Sequence, residues 1–429
     1  MKETRFKDTE IGRIPEDWEV FSVGNDCVTK ARIGWQGLTT AEYLPNGNFG
    51  LITSTDIVDG KVNWETCVFV SEERYKQDVN IIVKNSDILV SKDGTIGKVA
   101  IVSNIPYPTT LNSGVFVIRT KNDDISQEGL GLAFKSPYFM DFIKRLTAGS
   151  TIVHLYQKDI VKFKFPMPTK QEQHHISSAL TSIDNLISSL DKLIEKKKNI
   201  KQGAMQQLLT GKKRLKGFSE PWVEKKLGDG LKFQCGAPFQ SLFFNEEHLG
   251  MRLIKNRDLK SDDQIYYYNG TYTDDYVVHN GDLLIGMDGD FMPNIWTKGD
   301  ALLNQRVGRI LSQNWNLRYL YYTLKEPLLK KQEGTGATTV KHLSHSDIES
   351  MRVFMTVDIN EQKAIASVLT SMDNEITALE AKKAKYEKIK QGMMQQLLTG
   401  KIRLIETLHK EKNYCIPESE ATCVLAAEP

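Results

Sequence analysis

Glu172–Leu215 reads EQHHISSALTSIDNLISSLDKLIEKKKNIKQGAMQQLLTGKKRL, and Glu361–Leu404 repeats it as EQKAIASVLTSMDNEITALEAKKAKYEKIKQGMMQQLLTGKIRL. The offset is 189 residues without a gap, and about 26 of the 44 aligned positions are identical. Solenoid repeats have periods of roughly 20–50 residues, far shorter than this one. The chain is therefore a duplication of a domain-sized unit.

Each copy predicts one long helix of about 39 residues, or roughly 58 Å. Its apolar residues alternate at steps of three and four, which is typical of a coiled-coil seam. The seam comprises Ile176, Leu180, Ile183, Ile187, Leu190 and Ile194 in the first copy, and Ile365, Leu369, Met372, Ile376 and Leu379 in the second. After a charged stretch we expect the apolar stripe to resume at Ile200, Met205 and Leu208, and at Ile389, Met393 and Leu397. A Thr-Gly pair then predicts each helix end.

A narrow seam on so long a helix needs a partner, and the other copy is the obvious one. We expect antiparallel packing and an internal pseudo-twofold axis, because parallel helices would force a domain to run back along the whole coil.

The segments before the helices share only a skeleton. Asp93-Gly94 echoes Asp288-Gly289, and His154-Leu155 echoes His342-Leu343. Short β-rich runs alternate with helical pieces such as 131–146 and 317–330, so we predict two mixed α/β (α+β) domains that alternate with the helices. The predicted boundaries are 1–166 for the first domain, 167–215 for the first helix, 216–355 for the second domain, 356–405 for the second helix and 406–429 for an acidic, disordered tail.

Composition sets few limits on function. The net charge is only +2, from 56 basic and 54 acidic residues, so bulk charge neither indicates nor excludes nucleic acid. The sequence shows no apolar run long enough to cross a membrane and no secretion signal. Its five scattered cysteines form no CxxC pair, and we expect a reduced, cytoplasmic protein.

Enzyme signatures are missing from the sequence. It has no Pro-Pro dipeptide, which an adenine or cytosine-amine methyltransferase loop requires, and no GxxxxGK[ST] phosphate loop. Gly94–Lys98 is glycine-rich, but a hairpin turn explains it better. His174 and His175 point about 100° apart on a helix and suit one metal ion poorly. We therefore predict no catalytic residues, no metal site and no cofactor in this chain.

Both domains place polar side chains after a Leu-Ile run and around a Gly-(Ser/Ala)-Thr stretch. These side-chain types can contact phosphates and the major-groove edges of bases. The candidates in the first domain are Arg32, Trp35, Gln36, Thr53, Ser54, Thr55, Lys92, Lys98, Ser150, Thr151, Tyr156, Gln157 and Lys158. Those in the second are Gln240, Lys255, Asn256, Arg257, Asn294, Gln305, Arg306, Thr338, Thr339, Lys341 and His342. For any single one, an ordinary polar surface role is an open alternative.

Taken together, the duplicated helix, the MQQLLTGK ending, the Glu-Gln-x-x-Ile helix start and the tryptophan-containing domain starts (Trp18, Trp222) resemble the DNA specificity subunit of type I restriction–modification systems. The resemblance covers about residues 10–405. It implies two target-recognition domains, each reading half of a split, asymmetric site in double-stranded DNA, with helices that fix the separation. It also implies two methyltransferase subunits and two restriction subunits as partners, which would carry S-adenosylmethionine, ATP and magnesium.

The identical helix ends are the candidate methyltransferase-docking surface, because identical surfaces suit identical partners. They comprise Gln206, Gln207, Leu208, Leu209, Gln395, Gln396, Leu397 and Leu398. These leucines could instead only close the coil. Two other functions stay open on the sequence alone: a self-contained DNA methyltransferase or endonuclease, and a coiled-coil scaffold with no DNA role.

Overall fold

The computed structural model describes residues 4–34, 37–148, 154–334 and 341–405. The chain forms two compact units, the first made of residues 1–188 and 384–429 and the second of residues 189–383. Each unit contains one of the divergent domains, the beginning of one long helix and the end of the other.

The domain of the first unit contains two main sheets. Its strands are β1 (Phe6–Thr9), β2 (Gly12–Pro15), β3 (Glu19–Ser22), β4 (Cys27–Lys30), β5 (Phe49–Ile52), β6 (Ile57–Val58), β7 (Lys61–Val62), β8 (Val68–Val70), β9 (Ile88–Ser91), β10 (Val99–Ile101), β11 (Thr109–Leu111), β12 (Val115–Thr120) and β13 (Lys164–Met167). Its helices are α1 (Val23–Asp26), α2 (Glu72–Lys76), α3 (Gln127–Lys135), α4 (Pro137–Thr147) and α5 (Gln157–Ile160). One sheet has the order β10-β9-β12-β4 and the other β11-β5-β8, with β11 and β5 parallel.

The first long helix, α6, covers Lys170–Leu208 and continues from the first unit into the second. The domain of the second unit follows it and repeats the design. Its strands are β14 (Trp222–Lys226), β15 (Leu231–Cys235), β16 (Phe244–Asn245), β17 (Met251–Ile254), β18 (Tyr266–Tyr268), β19 (Val277–Val278), β20 (Leu283–Gly286), β21 (Pro293–Ile295), β22 (Ala301–Leu303), β23 (Val307–Ser312) and β24 (Arg352–Thr356). Its helices are α7 (Leu317–Thr323), α8 (Lys325–Glu333) and α9 (His345–Ser350), and the second long helix, α10, covers Ile359–Leu397.

The same strand pairings occur in both units. The order β15-β23-β20-β21 repeats β4-β12-β9-β10, and the parallel pair β17–β22 repeats β5–β11. Even the register is kept: Val115 faces Ser91 across one ladder, and Val307 faces Gly286 across the other. The weak sequence echo between the domains therefore reflects one framework used twice, and the predicted mixed helix and strand content is confirmed.

Both long helices contain 39 residues, as predicted. They end in the same way: a threonine hydroxyl donates to the carbonyl four residues earlier, Thr210 to Gln206 and Thr399 to Gln395, each at 2.6 Å. Gly211 and Gly400 then adopt φ values of +70° and +68°, where a residue without Cβ is favoured.

Within each unit, a segment of α6 packs against a segment of α10. In the second unit, Lys197 pairs with Glu375 at 2.6 Å, and Lys383 pairs with Asp191 at 2.6 Å. The partner's number falls as the residue number rises, so the two segments are antiparallel. Ile176, Ile183, Ile194 and Ile376 are buried as the seam predicts. The prediction is wrong at two positions, since Ile200 and Ile389 are 47% and 40% exposed beside a charged, ion-paired stretch of the helices.

The helical pieces predicted at 131–146 and 317–330 are each broken into two helices. Pro137 begins α4 after Ser136 ends α3, because proline lacks the N–H that would continue the helix. In the second unit, the break between α7 and α8 falls at Leu324, three residues before Pro327. The backbone at the break differs between the units, since Ser136 is extended and Leu324 keeps a helical conformation.

Candidate nucleic-acid interface

In the first unit, the predicted residues Thr53, Ser54 and Thr55 form a loop directly after strand β5. The buried carboxylate of Asp56 fixes this loop: one oxygen accepts from both the backbone N–H and the hydroxyl of Thr53 at 2.8 Å. The three side chains line an open cleft of about 350 Å³ together with Asp93. Other lining residues are Tyr43, Asp56, Thr66, Val68, Asn112 and Gly114.

The second unit builds the same turn after strand β17 with different side chains. Asp258 is buried and accepts from the backbone N–H of Lys255 at 2.7 Å, as Asp56 does for Thr53. Lys255 and Arg257 both lie over the ring of Tyr266, with the Lys255 ammonium 3.0 Å from its centroid. Burial raises the pKa of Asp258 and lowers the pKa of Lys255. Hydroxyls in one domain thus correspond to cations in the other.

Asp288 contacts two of the predicted residues, His342 and Arg306. Its carboxylate accepts from His342 Nδ1 at 2.8 Å and pairs with Arg306 at 3.1 Å. Arg306 is exposed and is held on one side only, so most of its donors can reach a ligand. Gln305 and Gln240 are exposed, and Lys341 is half-buried.

Two predicted amide side chains in the second unit already donate hydrogen bonds to backbone carbonyls of the protein. Asn294 donates to the carbonyl of Leu259 at 2.9 Å, and Asn256 donates to the carbonyl of Asp288. The buried Oδ1 of Asn256 has no hydrogen-bond partner among the described residues. An extra Cβ at Gly286 would lie 2.0 Å from that oxygen, so the glycine makes room for the amide. Asn256 is therefore part of the framework of the turn.

Arg32 is also buried, in the interior of its domain. Its side chain is 1% exposed and donates to the carbonyl of Leu111 at 2.9 Å, to Thr110 at 3.2 Å and to Gln77 at 3.1 Å. The guanidinium therefore links separate segments of the domain by hydrogen bonds. It is too deeply buried for a DNA duplex to reach.

The remaining described candidates of the first unit lie nearer the surface. Lys92 and Lys98 are half-buried, and burial lowers the pKa of Lys92, whose ammonium lies 5.2 Å from the centroid of the Phe116 ring. Tyr156, Gln157 and Lys158 are exposed at the start of helix α5, and the Lys158 ammonium lies 5.4 Å from the centroid of the Tyr156 ring. Trp35, Gln36, Ser150, Thr151, Thr338 and Thr339 lie outside the described residues.

The candidate docking surface separates into two kinds of residue. Leu208, Leu397 and Leu398 are buried and Leu209 is half-buried, all packed inside their own units. Gln206, Gln207 and Gln395 are exposed and Gln396 is half-buried. The leucines therefore contribute to packing within their units, and three of the four glutamines are exposed.

Sequence reasoning missed a buried ion pair that holds the helix ends in both units. Glu172, at the start of α6, accepts from Arg403 at 2.7 and 2.8 Å and from Trp18 Nε1 at 3.1 Å. In the second unit, Glu361 accepts from Arg214 at 2.5 and 2.8 Å. The signal was present, because Glu-Gln and Arg-Leu are identical at both ends of the repeat.

The comparison with protein families decides what this duplicated framework is. The model described as "Type I restriction modification DNA specificity domain" matches the chain twice, at residues 15–202 and 219–391. The chain belongs to this family. Both matches include a domain and most of the helix that follows it, so the two specificity domains of the chain coincide with its internal repeat.

One relative of the specificity-domain chain matches most of its length, and another matches less than half of it. It is 27% identical over 441 residues to the type I restriction enzyme MjaVIII specificity subunit of Methanocaldococcus jannaschii, covering 94% of this chain and 97% of the relative. It is 32% identical over 197 residues to the EcoBI specificity subunit of Escherichia coli, covering 44% of this chain and 41% of the relative.

Solved structures share the fold of the specificity-domain chain at low sequence identity. The type I restriction–modification S subunit from M. genitalium matches with a TM-score of 0.59 and 14% identity, covering 89% of this chain and 96% of the other. A chain from a study of complex assembly in a type I R-M system matches with a TM-score of 0.53, also at 14% identity, covering 91% of this chain and 99% of that one.

Among the described residues, no three His, Cys, Asp or Glu side chains come together as a metal ion would need. None of the helices in that part of the chain is both long and apolar enough to span a membrane.

Proposed function

We propose that this chain is the sequence-specific DNA-binding subunit of a type I restriction–modification complex, with each domain reading one half of a bipartite, asymmetric site. The observation that carries the proposal is the turn after β5 and β17. Asp56 and Asp258 hold the same backbone, but the turns present Thr53–Thr55 in one unit and Lys255–Arg257 in the other. One framework with different side chains is what reading two different half-sites requires.

The long helices set the distance between the half-sites in this proposal. Segments of the two helices pack against each other within each unit, and this pairing fixes the register of one helix on the other. Half-sites about one turn of DNA apart, on the order of 34 Å centre to centre, would then face the same side. The antiparallel ion pairs within the second unit, Lys197–Glu375 and Asp191–Lys383, support a fixed helix register.

Two methyltransferase subunits dock at the helix ends, and two restriction subunits join them. The exposed Gln206, Gln207 and Gln395 support this part of the proposal, since the two ends carry the same residues. The chain itself is non-catalytic and binds no cofactor. S-adenosylmethionine, ATP and magnesium belong to the partner subunits, and the assembled complex acts in the cytoplasm.

Reconstitution tests the proposal. The chain alone should transfer no labelled methyl group to DNA, and the chain with its methyltransferase subunit should methylate one bipartite sequence. Methyl transfer by the chain alone would contradict the non-catalytic role. A reconstituted complex that methylates a continuous site, or no specific site, would contradict the division into two half-sites.

A further inference from the structure

One local structure outside the variable turns is the same in both domains: a histidine bonded to an aspartate that precedes a glycine. His154 Nδ1 pairs with Asp93 Oδ1 in the first unit, and His342 Nδ1 pairs with Asp288 Oδ1 at 2.8 Å in the second. Because an ionised carboxylate only accepts hydrogen bonds, Nδ1 carries the donated hydrogen in both pairs.

The backbone around the two pairs also matches. Leu155 donates its N–H to the carbonyl of Lys92 at 2.9 Å, and Leu343 donates to the carbonyl of Met287 at 2.8 Å. The glycines after the aspartates, Gly94 and Gly289, have φ values of +69° and +73° and open space where a Cβ would be. Both domains therefore contain the same turn.

Each pair lies next to residues that differ between the domains. Asp93 lines the cleft that contains Thr53–Thr55, and the Cβ position of Gly114 is 3.3 Å from an Asp93 oxygen. In the second domain, Arg306 stands where the matching sequence Leu-Asn-x-x-Val places Gly114, and it pairs with Asp288. The aspartate therefore lies beside a histidine that both domains share and beside a position whose residue differs between them, Gly114 in one and Arg306 in the other.

A structural feature that both domains share is expected to contact a part of the DNA that both half-sites share. Two half-sites of different sequence share only the sugar–phosphate backbone, so a contact kept in both domains carries no sequence information. The histidine side chains are 31% and 49% exposed, and Nε2 lies on the side of the ring away from the aspartate. Among the described residues, no hydrogen-bond partner is found for either Nε2.

We propose that the two His–Asp pairs are the sequence-independent DNA contacts of this chain, each histidine donating its Nε2–H to a phosphodiester oxygen. The proposal rests on the proposed function and names the chemical group that this part of the interface binds. A phosphodiester oxygen only accepts hydrogen bonds, so Nε2 is the donor in this contact. Asp93 and Asp288 are positioning residues that aim the ring.

Two substitutions separate this role from a purely structural one. Asparagine places its amide nitrogen near the position of Nδ1, so His154→Asn and His342→Asn keep the aspartate bond and lose Nε2. Glutamine reaches the position of Nε2, so His154→Gln and His342→Gln keep a donor for phosphate and lose the aspartate bond. His248→Asn is the matched control, since His248 is exposed and packs on Tyr267.

The test measures the affinity of the complex of the full chain with its methyltransferase subunit for two duplexes. One duplex carries the mapped methylation site, and the other is a scrambled sequence of equal length and composition. Each asparagine variant should bind both duplexes about ten- to a hundredfold more weakly, since a hydrogen bond to a charged group is lost. The glutamine variants should bind more tightly than the asparagine variants, and the thermal unfolding midpoint should stay unchanged.

Three results would overturn the inference: wild-type affinity in the asparagine variants, a loss confined to one duplex, or glutamine variants that bind no better than asparagine variants. A wild-type complex that does not prefer the site duplex would instead refute the proposed function. The failure of the inference and the failure of the proposed function are therefore distinguishable.

Discussion

Arg403 donates hydrogen bonds to both carboxylate oxygens of Glu172, a residue 231 positions earlier in the chain. Both side chains are withdrawn from solvent, at 9% and 1% exposure. The pair joins the end of the second repeat to the helix start of the first, and Arg214 with Glu361 makes the converse connection in the second unit. The glutamates and arginines that are identical in the two repeats therefore have a structural role within the chain itself.

Breaking this pair should destabilise the first unit. Arg403→Met keeps much of the side-chain volume but leaves Glu172 with only Trp18 Nε1 and the Leu404 N–H as donors. The free energy of unfolding in urea should fall by about 3 kcal/mol, because one buried charge loses its partner. Lys401→Met, at an exposed position two residues away, is the control and should change it little. Equal effects of the two substitutions would argue against a structural role for the pair.

Lys325 should make the stability of the second unit depend on pH. Burial, with Lys201 nearby, lowers the pKa of this lysine to about 8, and the unfolded value is about 10.4. Between these values the unfolded chain binds more protons than the folded one, so the free energy of unfolding rises with pH. Below pH 8 both states are protonated and the dependence disappears.

Urea unfolding at pH 7.5, 8.5 and 9.5 measures this dependence. Comparison with Lys325→Met isolates it from other titrating groups. The wild-type protein should gain stability relative to the variant as pH rises. A constant difference across the series would show that the folded and unfolded pKa values of Lys325 are the same.

Base-reading and phosphate-binding residues should respond differently to substitution. Arg306→Ala should cost about 1–3 kcal/mol of binding and relax the second half-site only, if the arginine meets guanine through two hydrogen bonds. Lys158→Ala should weaken binding to all sequences alike if the ammonium meets a phosphate. Affinities measured for a set of duplexes, each with one base pair changed, distinguish the two patterns. An equal loss on every duplex for Arg306→Ala would remove it from base recognition.

Shortening the helices should shorten the spacer. Removing residues 192–195 and 379–382 deletes matching segments of the antiparallel pair, about 6 Å of helix each. Four residues turn a helix by about 400°, so the packed faces are nearly preserved. Methylation mapping should then show the same half-site bases at a smaller separation. New bases at an unchanged separation would contradict the ruler role of the helices.

The repeat gave the architecture because its information is local and doubled. The spacing of Ile176, Ile183 and Ile194 identifies a helix seam in a single copy, and the second copy repeats it. The same periodicity could not show that Ile200 and Ile389 are exposed, since neighbouring charges that form ion pairs in the folded protein decide that. Nor did it reveal the helix break at Pro137, although proline is the strongest local signal for one.

The candidate interface was harder to predict from sequence, because a polar residue type does not reveal whether its donors are already used. Arg32 and Arg306 are the same residue type, yet one is buried with its donors bound by Leu111, Thr110 and Gln77, and the other is exposed. The sequence candidates included His342 but not His154, though both belong to the same His-Leu echo. The structural match of the two His–Asp turns brings them together.

Exchanging one domain shows whether each domain reads its own half-site. Residues 216–355 would be exchanged for the second domain of another family member, and the genome of a host expressing the hybrid with its methyltransferase subunit would be mapped for methylation. One half-site should change while the other half-site and the spacer stay the same. A change in both half-sites, or in neither, would contradict it.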